Sequence, residues 1–262
     1  INSGFDSIFF RPNQKISRLL SKRFFIERGN PKVHWDAGIN AIPVEIALKF
    51  NIKLIFYAEH GESEYGGRVL DEEKKKIRDL TEVIEHQIGD DPSNWLDSDV
   101  TENDLKAYKY PDSEIIEGSG LKCYYFSYFT KWDMFDNYNY IKDKIDFRLD
   151  EENRSTGTFT NFDSLDDKID DLYYYMQYIK FGFGRCIRDA SRFIQNGHLT
   201  RENALDLVKK FDGEFPKRNY DSFLNYLSLS DAEFQEIVDK HRNPEVWRKM
   251  NDKSWKLIHP PK

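Results

Sequence analysis

Apolar residues recur at helical spacing over residues 15–28, where Ile16, Leu19, Leu20 and Phe24 fall on one face, and the pattern stops at Gly29. This predicts a first helix, preceded by a short apolar run at Ile8, Phe9 and Phe10. Residues 30–40 lack the period and read as a loop, after which Pro43 suits the first turn of a short helix over 44–50. The next run, 52–58, is apolar without alternation, as in a strand covered on both faces of its sheet. Charged residues dominate 71–89, leaving the narrow stripe Ile77, Leu80, Val83, Ile84 and Ile88 of a surface helix. Residues 90–120 are polar and contain Pro92 and Pro111; they read as a connector with short turns near Trp95 and over 104–108. Residues 121–129 are dense in aromatic side chains and predict a second strand.

Beyond Asn161 the pattern is helical. Ser164 and Asp167 have capping-box spacing, and Leu165, Ile169, Leu172, Met176 and Ile179 mark the buried face of the helix they would open. Asp166, Asp167, Asp170 and Asp171 crowd its start, where the helix dipole favours negative charge; this reads as dipole compensation rather than a metal site. Further helices are predicted over 185–196, stopped by Gly197, over 200–211, stopped by Gly213, and over 230–241, opened by Ser230 and Glu233. The tail from Trp247 has aromatic anchors and ends in Pro260 and Pro261, so it should pack and then fray. The expected organisation is an α/β region over 1–160 and a helical region over 161–262.

A chain of 262 residues can bury a sizeable core. A net charge of −7 argues against a general nucleic-acid binder, which carries a basic footprint. No apolar run is long enough to cross a bilayer, which predicts a soluble protein with no membrane insertion. Cys123 and Cys186 form neither a metal-spaced pair nor a disulfide framework, which fits a reducing cytoplasm. The chain begins at Ile1 without Met and reads as part of a longer polypeptide.

Two segments carry candidate chemistry. The first follows the predicted strand 52–58 directly: Glu59, His60, Glu62 and Glu64 flank Gly61 and Ser63 and lead into Tyr65, Gly66 and Gly67. In open α/β sheets ligands bind beyond the carboxyl ends of strands, and there such carboxylates handle protons, a cation or a metal; a solvated acidic turn is the plain alternative. The second is Lys180, followed by Gly182, Gly184, Arg185, Arg188 and Arg192, with the three arginines on one helical face. Guanidinium groups beside glycine-opened backbone suit a phosphate or carboxylate ligand; the alternative is that they pair with the aspartates of the preceding helix. The six histidines are scattered without HExxH spacing, so no zinc hydrolase is indicated and no metal site is assigned. No GxSxG or local Cys/His arrangement supplies a nucleophile.

Several ordered blocks give the chain a family resemblance. Ser3 to Asp6 with Pro12 and Asn13, Leu54 to Glu59 leading into Glu64 to Gly67, and Tyr125 to Phe129 with Trp132 resemble the N-acetyl sugar amidotransferases of lipopolysaccharide and surface-sugar biosynthesis, which are PP-loop ATPases. The resemblance is strongest over Tyr175 to Arg185, Asp189 to Ser191, Gly197, Thr200 to Glu202 and Asp212 to Pro216. It implies the later part of a PP-loop (HUP-like) parallel sheet followed by a helical C-terminal region. It further implies that ATP with Mg2+ activates the acetamido group of a nucleotide-linked sugar. Ammonia from a glutaminase partner, delivered by a cyclase-like subunit, then displaces AMP to leave acetamidino. The SGGxDS phosphate loop of the family is not among these residues, so the chain alone is expected to be inactive. Glu59, Glu62 and Glu64 are then candidate catalytic residues; Tyr65, Gly66, Gly67, Lys180, Arg185, Arg188 and Arg192 are candidates for substrate. Two other readings stand beside this one: a tRNA-modifying PP-loop enzyme, which the acidic balance disfavours, and a non-catalytic module that binds the ammonia-supplying partner.

Overall fold

The computed structural model describes residues 4–58 and 89–262, so the loop 59–67 and almost all of the surface helix expected over 71–89 lie outside the described residues. The chain divides into two compact units, one built from Ser7–Leu20 and Lys32–Trp132, the other mainly from Ser21–Pro31 and Asp133–Lys262. Residues 133–160 thus group with the C-terminal helices rather than with the expected region 1–160.

Helix α1 (Gln14–Arg28) matches its predicted span, and Gly29 closes it: its φ is +61° and its N–H donates to the Phe25 carbonyl at 3.0 Å. Residues 8–10 have no regular secondary structure and are exposed. In the sheet unit, helix α2 (Val33–Lys49) is twice the expected length, with Pro43 in its interior and the expected loop 30–40 largely forming its first half. Val33, Ala37, Ala41, Val44 and Ala47 give it a buried stripe. Proline removes one N–H from the ladder. Beside the loosened turn the Asn40 carbonyl accepts a hydrogen bond from the Tyr57 hydroxyl at 3.2 Å, which ties the helix to the strand.

Strand β1 (Leu54–Tyr57) runs parallel to β2 (Lys122–Tyr125), with Leu54 opposite Lys122 and Tyr57 opposite Tyr125. Between them in sequence lie a 3-10 turn at Pro92–Trp95, helix α3 (Glu102–Leu105) and helix α4 (Ser113–Ser119). One sheet face packs Ile55 and Tyr57 with Val44, Ala47, Leu121 and Cys123. The other face is open: Phe56 is 51% exposed and meets Phe126 and Phe129 edge-on, which corrects the expectation of a strand covered on both faces. The second strand also ends earlier than predicted, because helix α5 (Phe126–Phe129) takes over after Tyr125. Two parallel strands are common to many α/β folds and do not by themselves single out a PP-loop sheet.

The C-terminal unit is helical, as expected: α6 (Met134–Ile141), α7 (Ile169–Phe181), α8 (Arg185–Gln195), α9 (Arg201–Phe211), α10 (Tyr220–Leu227) and α11 (Asp231–Lys240). Thr200 caps α9, and Ser230 with Glu233 forms the capping box of α11. Helix α7 starts later than Ser164, which adopts φ +52°; the Asp167 carboxylate instead accepts from the Ile169 N–H at 2.8 Å. One core joins Phe25, Leu172, Met176, Phe223, Leu227 and Phe234; a second joins Cys186 and Ala190 of α8 to Ala204 and Val208 of α9. The tail forms an unexpected hairpin, β3 (Trp247–Lys249) antiparallel to β4 (Trp255–Leu257), and the Trp247 indole N–H donates to the Ile179 carbonyl.

Candidate functional site

The glycines between α7 and α8 serve a tight turn rather than an open one. Gly182 ends α7 with φ +77°, and a Cβ there would stand 2.6 Å from Val246. Gly184 precedes α8, whose first N–H groups make a ready anion site. That anion is supplied internally. The Asp212 carboxylate accepts from the Gly184 N–H at 2.9 Å and the Ile187 N–H at 3.3 Å, and burial pushes its pKa up to about 6. Gly213 beside it is held at φ +75°, and a Cβ there would lie 2.2 Å from the Tyr178 ring.

The arginine face of α8 is equally engaged. Arg185 is 1% exposed, lies over the Tyr174 ring and donates from Nη2 to the Asp163 carbonyl at 2.6 Å, with the Asp163 carboxylate 3.7 Å away. Arg188 donates from Nε to Asp189 at 2.8 Å and from its two terminal nitrogens to the Tyr174 hydroxyl and the Asp163 carboxylate. Asp189 is fully buried, and its second oxygen accepts from the Thr158 hydroxyl at 2.6 Å and the Thr160 hydroxyl at 3.1 Å. Arg192 is buried and reaches the Met134 sulfur at 3.8 Å. For Arg185 and Arg188 the acidic partners include Asp163, ahead of α7, and Asp189, within α8. Of the aspartates at the start of α7, Asp171 accepts from Asn219 and Thr156, and burial raises its pKa.

The loop that carries Asp163 is clamped from the other side. Arg154 makes two 2.7 Å hydrogen bonds to Glu214, which also accepts from the Gly157 N–H at 2.8 Å; hydrogen bonding from Arg154 holds the Glu214 carboxyl below its usual value. Arg218 makes two 2.9 Å bonds to Asp150. Bidentate pairs of this kind fix geometry as well as charge. Sequence reasoning placed Asp212 and Glu214 only within a resemblance block; their placement after the Phe211 end of α9 gave no sign that they reach back to α8 and to residues 154–157.

Lys180 has a different setting. Tyr173, Gln177, Lys180 and Phe181, which share one face of α7, line a cleft of about 340 Å³ together with Gly29, Asn30 and Phe183. The Lys180 ammonium donates to the Arg28 carbonyl at 2.9 Å, and burial lowers its pKa. Phe181 and Phe183 are about half exposed and stack on each other with centroids 5.9 Å apart. The structure thus separates the four cations predicted for substrate: Lys180 lines a cleft, while Arg185, Arg188 and Arg192 turn into the protein. Glu59, Glu62, Glu64, Tyr65, Gly66 and Gly67 lie outside the described residues.

Residues 156–262 match the family model described as LPS biosynthesis protein WbpG-like, C-terminal domain. This segment is similar to a domain of lipopolysaccharide-biosynthesis proteins. It takes in α7 to α11 and the hairpin, and with them the α8 network and most of the cleft lining. A search of curated proteins finds no match. Among the described residues no helix is long and apolar enough to cross a membrane.

Proposed function

We propose that the chain is part of an ATP-dependent amidotransferase of lipopolysaccharide or related surface-glycan synthesis. It acts in the cytoplasm on a nucleotide-linked N-acetyl sugar, with ammonia supplied by a glutaminase partner and a cyclase-like subunit. The observation that carries this reading is the Lys180 cleft, within the unit that contains the family match. A half-buried ammonium whose charge is made costly by desolvation gains most from an anionic ligand such as a diphosphate. The exposed Phe181–Phe183 pair offers a flat apolar surface to a base or a pyranose ring, and the Asn30 and Gln177 amides suit an acetamido group.

In this reading Lys180 binds and orients the sugar nucleotide, while Arg185, Arg188, Arg192, Asp189 and Asp212 hold α8 in place behind the cleft. ATP, when bound, makes the acetamido oxygen a leaving group that departs with AMP after pyrophosphate is lost, and the ammonia nitrogen takes its place on carbon. Glu59, Glu62 and Glu64, with Tyr65, Gly66 and Gly67, are the residues we assign to the nucleotide and Mg2+ side. The test is saturation-transfer NMR with UDP-N-acetylglucosamine. Transfer to the acetamido methyl and the uracil protons is expected with the native chain and lost with Lys180→Ala. Absence of transfer to the native chain, or equal transfer to the variant, overturns the assignment of the cleft.

A further inference from the structure

Among the described residues, three side chains of types that can ligate a metal converge in the C-terminal unit, two from the start of α6 and one from beyond α8. Asp133 caps α6, Asp136 lies in the first turn of the same helix, and His198 follows the Gly197 stop of α8; their ligand atoms all lie within 4.8 Å of one another. Asp133 and His198 are held in place. The Asp133 Oδ1 atom accepts from the Phe135 N–H at 3.1 Å and the Asp136 N–H at 3.2 Å, and its Oδ2 lies 2.8 Å from His198 Nε2. The His198 backbone N–H donates to the Phe193 carbonyl at 2.8 Å, and its ring is wedged edge-on between Phe135 and Phe193, at 5.1 and 5.6 Å between centroids. Nε2 lies 2.8 Å from the Asp133 carboxylate and 3.9 Å from that of Asp136.

We propose that Asp133 Oδ2, Asp136 Oδ1 and His198 Nε2 bind a divalent transition-metal ion of the zinc type. One imidazole and two carboxylates are a donor set that zinc accepts, and a three-ligand site leaves a fourth position for water. Tetrahedral zinc with bonds near 2.0–2.1 Å sets its ligand atoms about 3.3 Å apart. The observed separations from Nε2, 2.8 Å to Asp133 and 3.9 Å to Asp136, bracket that value. Reaching it means opening the Asp133–His198 contact by about 0.5 Å and rotating the Asp136 side chain, which is 64% exposed, toward the ring. The ion would lock the start of α6 to the end of α8. This proposal is independent of the nucleotide-sugar reading.

A simple hydrogen-bonded His–Asp pair is the competing account, and Asp136 separates the two. In that account Asp136, 3.9 Å from the ring, contributes nothing; in a metal site it is a ligand. The experiment uses the tag-free chain stripped with chelator and titrated with Zn2+ by calorimetry and with Co2+ by visible absorption. The native chain is expected to bind one equivalent and to give the intense d–d bands of a four-coordinate cobalt site. Asp136→Asn should weaken binding about tenfold or more with unchanged circular dichroism, and His198→Gln should abolish it. No binding by the native chain at 0.1 mM metal, or equal binding by the native chain and Asp136→Asn, overturns the proposal.

Discussion

Lys180 and Arg185 are five residues apart, and their surroundings are opposite. Lys180, near the end of α7, lines a cleft and donates to a backbone carbonyl, and its charge has no acidic partner among the described residues. Arg185, at the start of α8, is buried on an aromatic ring beside Asp163, and its neighbour Arg188 meets two carboxylates and a phenol. Basic residues at helical spacing look alike in a sequence. What divides them is the placement of acids from distant segments, since a carboxylate that arrives from a loop converts a ligand-binding cation into a structural one. The same holds for the α8 N-terminus, where Asp212 occupies the position a phosphate would take.

That contrast can be broken most severely on the α8 side. Asp189→Ala would leave Arg188 with one carboxylate fewer and strip Thr158 and Thr160 of their acceptor, and a loss of about 3–5 kcal/mol is expected in urea unfolding. A change under 1 kcal/mol would mean that the network contributes little. Gly213→Ala should cost about 2–4 kcal/mol, because its positive φ and the Tyr178 ring both oppose a Cβ. Thermal unfolding of that variant close to native would show that the turn relaxes freely.

Asp212 sharpens the comparison through pH. Its carboxyl is raised to about 6 when folded, above an unfolded value near 4, so its contribution is complete below pH 4 and is lost as pH rises through 6. Relative to Asp212→Asn, the native chain should therefore lose roughly 3 kcal/mol between pH 4 and pH 7.5. A flat difference curve would place the carboxylate's pKa at an ordinary value. The smallest stability effect is expected at Lys180, where replacement by Ala should change unfolding by less than about 1 kcal/mol.

Local signals made several elements legible. The boundaries of α1, α8, α9 and α11 follow from Gly29, Gly197, Thr200 and the Ser230–Glu233 box, each of which acts through its own backbone neighbours. Helix α2 was hidden by Pro43, which marks a first turn in most contexts but here sits mid-helix beside an Asn40 carbonyl bonded to Tyr57. Ser164 failed as a cap because its backbone is left-handed. The hairpin escaped notice because three-residue strands give too short a pattern. In the site, Lys180 and the arginines are visible as cations, but the roles of Arg185 and Arg188 depend on contacts with Asp163 and Asp189 that form only on folding. His198 was set aside for the same reason, since its aspartate neighbours lie more than sixty residues away in sequence.

The division between a ligand-facing lysine and fold-holding arginines is tested most directly by measuring stability and nucleotide-sugar affinity together for Lys180→Ala and Arg188→Ala. Lys180→Ala should keep the native unfolding midpoint and bind UDP-N-acetylglucosamine about tenfold or more weakly, as for a lost charge-assisted contact. Arg188→Ala should unfold several kcal/mol more easily, while its folded fraction at low temperature binds as the native chain does. A stable Arg188→Ala protein with lost affinity, beside a Lys180→Ala protein that binds normally, would contradict the account.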